Sequence, residues 1–308
     1  MADIPPQRRH MESLPAMVFD WLADVPRAER PNTRVLDLPG GAGLLAAGLT
    51  AAGFDVVYAD LLPEYGKQYA EKMRGMTLDE AMRITSRGKG WLSESVQQQL
   101  FGGPSPIFPE SLPCERADLE APFPWKDGQF DVAMCIEGIE HVSDRMSMLR
   151  EFRRVLKPGG SLFISTPNLL NLRSRFTMLV SGFRTFASWL DEYSGVQMQI
   201  GDRVYHGHAF MLDYNEMRYS LFHAGFKVKR VLASPTSRSS VAMKWLLWPL
   251  VWLGTWRICK RADYIFERYR KTGKVPADAP SPVQEIRRHL MSPELLYGKN
   301  LAVEAEAF

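Results

Sequence analysis

Val35-Leu36-Asp37-Leu38-Pro39-Gly40-Gly41-Ala42-Gly43 is an apolar strand that runs directly into a glycine-rich turn and then a helix. Asp60 answers it, closing the next apolar run at Asp55-Val56-Val57-Tyr58-Ala59-Asp60. A strand, a permissive turn, a helix and an acid about twenty residues further on make a nucleoside-binding βαβ unit. The glycines let a ligand come close to the backbone, and the acid can hold ribose hydroxyls. A tight turn with no ligand has the same local pattern, so the reading depends on what lies downstream.

From Ala117 to Asn168 the chain reads ADLEAPFPWKDGQFDVAMCIEGIEHVSDRMSMLREFRRVLKPGGSLFISTPN. This stretch resembles the class I S-adenosylmethionine-dependent methyltransferases across their most diagnostic region. Asp37, Gly41 and Gly43 stand where the first motif of that family has them, and Asp60 matches its ribose-binding acid. Asp118 and Leu119 match the adenine-contacting step after the third strand. Phe130 to Ile136 reads as the fourth strand, Leu156 to Gly160 as a turn and Ser161 to Thr166 as the fifth strand. The resemblance covers about residues 33 to 232 and a final strand near Asn300 to Glu306. Pro39 departs from the usual glycine and removes one backbone N–H from the loop. The fold implied is α/β: a Rossmann-like, seven-stranded, mainly parallel sheet in the order 3-2-1-4-5-7-6. Its last strand is antiparallel, helices cover both faces, and insertions lie on the substrate side. The implied cofactor is S-adenosylmethionine, held by Asp37, Pro39, Gly40, Gly41, Gly43, Asp60, Leu61, Asp118, Leu119 and Glu137.

Composition agrees with a globular enzyme. With 308 residues and 45% hydrophobic content the chain can bury one large core with insertions. Cys114, Cys135 and Cys259 are widely separated and odd in number, which argues against a disulfide framework or a cysteine zinc site. The N-terminus lacks the apolar run of a secretory signal, so the expected location is the cytoplasm. A net charge of +3 is too small to indicate nucleic-acid binding.

Between these landmarks, residues 1–31 read as an N-terminal cap with a helix around Leu14 to Leu22. Residues 32–232 are the methyltransferase core. Its insertion at 63–113 carries a helical stretch near Pro63 to Arg87, and its insertion at 168–212 a helix over Asn171 to Leu190. Asp213 to Ala224 reads as a helix, Gly225 as its stop, and Lys227 to Leu232 as a strand. Residues 233–298 form a tryptophan-rich, basic insertion, and 299–308 return as the final core strand.

Catalysis is expected at the end of the fourth strand, in Cys135-Ile136-Glu137-Gly138-Ile139-Glu140-His141-Val142. In open α/β sheets ligands sit beyond the carboxyl ends of the strands, which places Glu137 beside the cofactor. On a helical turn, Glu137, Glu140 and His141 would share one face. Two carboxylates and an imidazole can hold a divalent ion, with a fourth ligand from Tyr205-His206-Gly207-His208-Ala209-Phe210. The E-x-x-E-H spacing is similar to that of ubiquinone-biosynthesis O-methyltransferases. Together with the later Ser-Thr-Pro-Asn and His-x-His-x-Phe it is also similar to small-RNA terminal 2'-O-methyltransferases. That pattern implies Glu137, Glu140, His141 and His208 as ligands of a Mg-type ion. Glu137, His141, His206 and His208 are thus the catalytic candidates; relatives with the same spacing and no metal leave another reading open, in which Glu137 shapes the cofactor pocket, His141 is hydrogen-bonded to the chain, and His206 and His208 are ordinary loop residues or one of them is a metal-free general base. Arg173 and Arg175 either grip an anionic group of the substrate or lie on a solvated helix face.

Trp245-Leu246-Leu247-Trp248-Pro249-Leu250-Val251-Trp252-Leu253-Gly254-Thr255-Trp256 is too short to cross a bilayer, which needs about twenty residues. As a helix it lines its four tryptophans along one stripe. Between Arg257 and Lys274 follow seven basic residues against two acidic ones. One reading is an in-plane membrane helix at 244–274, on the inner face of the cell membrane. The other is a helix packed on the domain or across a dimer. STPNLLNLRSRF, the His-x-His-x-Phe loop and this tail look like bacterial methyltransferases of surface-polysaccharide synthesis, which implies O-methylation of a glycan or lipid-linked saccharide. The alternatives are a phenolic or quinone-like small molecule, RNA as a third acceptor with no large basic face to favour it, and a catalytically silent cofactor-binding partner.

Overall fold

The computed structural model describes residues 13–85, 92–183, 196–200 and 203–308. The strands are β1 (Arg34–Asp37), β2 (Asp55–Asp60), β3 (Glu115–Arg116), β4 (Phe130–Ile136), β5 (Leu156–Pro167), β6 (Val196–Ile200), β7 (Arg203–His206), β8 (Phe226–Val231) and β9 (Asn300–Ala307). Seven form one sheet in the order β3-β2-β1-β4-β5-β9-β8, and β6 pairs with β7 alone. Setting that hairpin aside, the order is the 3-2-1-4-5-7-6 implied by the sequence. β9 runs antiparallel to both of its neighbours, while the pairs from β3 to β5 are parallel.

Both faces of the sheet are covered, because successive residues of each strand point to opposite sides. Val35, Val132 and Met134 face one core, built with α1 (Leu14–Ala23), α2 (Leu44–Ala51), α4 (Leu78–Thr85) and α5 (Glu94–Phe101). Their neighbours Leu36, Ala133 and Cys135 face the other, built with α6 (Arg145–Val155) and α8 (Tyr214–His223). The first core needs close approach: a Cβ on Gly48 of α2 would lie 2.3 Å from the Phe19 ring of α1. Arg30, only 1% exposed, joins the ends of three helices by donating to the carbonyls of Ala23, Ala52, Gln99 and Leu100. A cation is well placed where helix carbonyls converge.

The structure changes four local expectations. The helical stretch near Pro63 to Arg87 is two helices, α3 (Pro63–Lys72) and α4, because Gly75 takes φ +77° and Thr77 and Glu80 cap each other to start the second. Arg87 itself lies outside the described residues. The helix expected over Asn171 to Leu190 is α7 (Leu172–Ser181), which starts on the Asn171 side chain and stops at left-handed Gly182; residues 184–190 lie outside the described set. Leu156 to Gly160, read as a turn, is continuous with β5. Val196–Ile200 and Arg203–His206 pair antiparallel as β6 and β7, two strands not expected from the sequence.

Between β8 and β9 the chain leaves the sheet for α9 (Arg238–Ala242), α10 (Lys244–Lys271), α11 (Val283–Leu290) and α12 (Pro293–Tyr297). Leu172, Leu247 and Leu296 make a small core that joins α7, α10 and α12.

Candidate active site

The strand order reverses at β1 and β4, and a cavity of about 320 Å³ opens beyond their carboxyl ends. Pro39, Gly41, Asp60, Leu61, Asp118, Leu119, Glu137, His141 and His206, all singled out from the sequence, line it. Asp37, Gly40, Gly43, Glu140 and His208 stand behind or beside that lining.

The loop after β1 divides its work among its residues. Gly41 has φ +53° and open space where a Cβ would stand, so the loop presents no side chain to the cavity there, while its N–H and carbonyl are held by Asp60 and the Tyr58 hydroxyl. Gly40 packs on the β2 side, where a Cβ would come within 2.3 Å of the Tyr58 ring. Gly43, at φ +74°, is the N-cap of α2. The Leu38–Pro39 peptide is cis. Asp60 is held ready at the end of β2: one carboxylate oxygen accepts the Gly41 N–H at 2.9 Å and the other the Leu62 N–H at 3.0 Å. Asp37 is buried with Oδ2 lacking a hydrogen-bond partner among the described residues. Burial and the nearby charge of Asp60 push its pKa up to about 7.

Asp118 is fixed by the hairpin. Its Oδ2 accepts from Arg203 Nη1 at 2.8 Å and from Tyr205 Oη at 2.9 Å, and its Oδ1 accepts the Glu120 N–H at 2.8 Å. Arg203 also reaches the Glu120 carboxylate at 3.1 Å. Gln197, Met198 and Tyr205 thereby become part of the cavity wall. The alternation of Val196-Gln197-Met198-Gln199-Ile200 was the sequence signal for this hairpin. Gly138 was also missed: a Cβ there would lie 2.8 Å from Pro39 and 3.1 Å from Leu119, so only glycine lets the two loops close over each other.

Glu137 is not on a helical turn. It has φ +50°, a conformation rare outside glycine, and a 3-10 turn over Ile139–His141 begins after it. Ser165 of β5 holds the bend, accepting the Glu137 N–H through both its carbonyl and its hydroxyl and donating that hydroxyl to Glu137 Oε1 at 3.3 Å. The bend separates the two acids. Glu140, His141 and His208 each bring a ligand atom within 4.8 Å of the others, and Glu137 is not in that group. Glu140 is fully buried, and neither carboxylate oxygen has a hydrogen-bond partner among the described residues. Burial raises the pKa of both Glu137 and Glu140, and for Glu137 the charge of Glu140 adds to it.

His141 Nδ1 lies 2.9 Å from the His206 carbonyl, which can only accept; Nδ1 therefore carries the proton and Nε2 keeps its lone pair. The His141 and His208 rings meet edge to face with centroids 5.0 Å apart. Burial and the His141 ring hold the His208 imidazole below its usual pKa. The Phe210 N–H donates to the Glu140 carbonyl, which pins the His-x-His-x-Phe loop to the 3-10 turn. Of the two arginines, Arg173 is exposed, whereas Arg175 is half-buried and donates Nε to the Leu170 carbonyl at 2.6 Å.

A family model described as a methyltransferase domain matches residues 8–231, well over half of the chain. The chain belongs to the S-adenosylmethionine-dependent methyltransferases. The methyltransferase is similar to the ubiquinone biosynthesis O-methyltransferase of Xanthomonas campestris pv. campestris (strain B100), at 32% identity over 167 residues, or 54% of this chain and 55% of that one. The protein of the same name from Xanthomonas oryzae pv. oryzae (strain PXO99A) is 32% identical over 142 residues, 46% of each chain. The methyltransferase thus spans about half the length of these curated relatives. Among solved structures, an S-adenosylmethionine-dependent methyltransferase from Mesorhizobium loti shares 16% identity, with a TM-score of 0.40 and coverage of 94% of this chain and 99% of that one.

Proposed function

We propose that this methyltransferase transfers its methyl group to a hydroxyl oxygen of a phenolic or quinol-like small molecule. The carrying observation is the group of Glu140, His141 and His208, which reaches through His141 the cavity lined by the cofactor residues. The name of the curated relatives favours this acceptor over the saccharide suggested by the sequence, and a phenol gives up its proton more readily than a sugar hydroxyl.

When bound, S-adenosylmethionine supplies a methyl group on a positively charged sulfonium, so the donor is already activated. The chain's residues have two tasks. Asp60, Gly41 and Asp118 orient the nucleoside, and Glu137, held toward its protonated form by burial, lines the cavity as a hydrogen-bonding group. His141 Nε2, or the neutral imidazole of His208, accepts the hydroxyl proton as the oxygen lines up with the methyl carbon.

The same residues fit a divalent cation. Glu140 is a buried carboxylate whose oxygens have no hydrogen-bond partner within normal geometry among the described residues, and the His206 carbonyl orients His141 as outer partners orient metal-ligating histidines. Two imidazoles and one carboxylate suit a transition ion better than the Mg-type ion read from the sequence. Such an ion, when bound, would be a Lewis acid that lowers the hydroxyl pKa.

The test is transfer of labelled methyl from S-adenosylmethionine to catechol-type and sugar acceptors, with and without a chelator. Turnover of the catechol alone supports the phenolic reading, and turnover of the sugar alone overturns it. Activity that survives the chelator assigns proton removal to the imidazoles without an ion.

A further inference from the structure

We infer that α10 docks this protein on an anionic lipid surface, with its first three turns among the headgroups and its later turns at the phosphates. A helix in a water-soluble domain normally buries its apolar side and shows water its polar side. α10 buries a narrow line, Leu247, Thr255 and Cys259, and packs with it against α7, α9 and α11. Its opposite line follows steps of four and three: Leu246, Leu250, Leu253, Arg257, Arg261, Tyr264 and Arg268. All seven are exposed, Leu246 at 69% and Leu250 at 64%. The line is thus apolar for its first turns and basic beyond them.

The apolar part is broad. Trp245 is 87% exposed, and Trp248 and Trp252 flank the leucines in part-exposed positions. α7, against which α10 packs, adds exposed Met178, Leu179 and Val180. Indole rings favour the headgroup region, where the ring is apolar and its N–H still meets water.

Charge identifies the occupant. Arg257, Arg261 and Arg268 have no acidic partner within ion-pair distance among the described residues. The two acids of the helix are engaged elsewhere: Asp263 accepts from Ser281 and Gln284, and Glu267 pairs with Arg270. Unpaired cations beside an apolar, tryptophan-bearing surface complement anionic headgroups over acyl chains. No described helix is long and apolar enough to cross a membrane, so contact is in the plane of the surface. α7, against which α10 packs, begins after the carboxyl end of β5, the end of the sheet on which the cavity opens. Delivery of a lipid-borne acceptor from that side rests on the phenolic reading; the docking does not.

The experiment is flotation of the full chain with vesicles of phosphatidylcholine alone and of phosphatidylcholine mixed with phosphatidylglycerol. The protein is expected to float with the mixed vesicles, to remain unbound with phosphatidylcholine alone, and to be released by salt. Leu250→Ser with Leu253→Ser should reduce binding more than about tenfold. Neutralising Arg257, Arg261 and Arg268 to Gln should reduce it by about fivefold per residue. Unchanged S-adenosylmethionine affinity in each variant shows that it is folded. Absence of flotation with the mixed vesicles overturns the proposal, as does flotation of both variants equal to that of the unaltered chain. So does a dimer in sedimentation that the leucine variant dissociates, because a second copy would then cover the face.

Discussion

The cofactor crevice and the α10 insertion treat side chains in opposite ways. In the crevice the chain brings polar groups into its interior: Asp37, which ends β1, is 1% exposed, and Glu140, in the turn after β4, is fully buried. In α10 it leaves leucines and tryptophans in water while charged residues continue the same line. Each arrangement costs stability in the isolated chain, since buried acids lose hydration and exposed apolar surface stays wet. Regions that give up stability in this way are where a ligand or surface completes the structure. On the readings proposed above, a cofactor and an acceptor complete the crevice, and a lipid surface completes α10.

The strongest way to sharpen the contrast is to separate chemistry from docking. His141→Ala and His208→Ala are each expected to lower methyl transfer to a soluble acceptor by about a hundred- to ten-thousandfold, with S-adenosylmethionine affinity nearly unchanged. The α10 leucine variant should leave turnover of that acceptor unchanged. Single-turnover rates and calorimetric binding measure both quantities. Comparable loss of turnover in the α10 variant would break the division between the two regions.

Next in size is Asp60→Ala, expected to weaken cofactor binding by about a hundredfold. The carboxylate would accept two charge-assisted bonds from the ribose, and it also anchors the Gly41 and Leu62 N–H groups. Calorimetry of the variant should show the loss in affinity with the methyl-transfer rate at saturation less affected.

The crevice was legible in the sequence because its demands fall on the backbone. A positive φ at Gly41 and Gly43 and a close approach at Gly40 exclude other residues, so the requirement appears as letters in the chain. The sheet order was legible because apolar runs and the glycine turn fit one known arrangement. What stayed hidden depends on three-dimensional placement. Nothing in E-x-x-E-H shows that Glu137 bends left-handed, held by Ser165, and stays outside the group of Glu140, His141 and His208. Gly138 sits within the same motif, yet its contact partner Pro39 is far away in sequence. Trp245 to Trp256 reads equally as core or surface until the exposures are known, because periodicity describes a helix and not its surroundings.

Asp37 offers a smaller test, of stability. Its folded pKa of about 7 lies above the ordinary carboxylate value, so between about pH 4 and 7 the folded chain holds a proton that the unfolded chain has released. Unfolding then releases a proton, and stability falls as pH rises through that window. Asp37→Asn should remove on the order of 2 kcal/mol of this decline, read as a flatter Tm against pH without cofactor. An unchanged slope would mean that Asp37 is already satisfied in the free protein.

The smallest effect expected is at the hairpin, which belongs to neither pattern. Arg203 is 41% exposed, so its pairs with Asp118 and Glu120 are partly screened and worth at most about 1 kcal/mol. Its contribution is orientation: with Tyr205 it occupies both lone pairs of Asp118 Oδ2 and so fixes the carboxylate at the wall where the adenine edge would lie, leaving one lone pair on Oδ1 for the ligand. Arg203→Ala should therefore raise the cofactor dissociation constant by about fivefold at most, and Tyr205→Phe by less. Because the exposed pair is salt-sensitive, the difference between wild type and Arg203→Ala should shrink as ionic strength rises. A difference that persists in high salt would show that the hairpin acts by packing over the cavity, and would move β6 and β7 to the crevice side of the comparison.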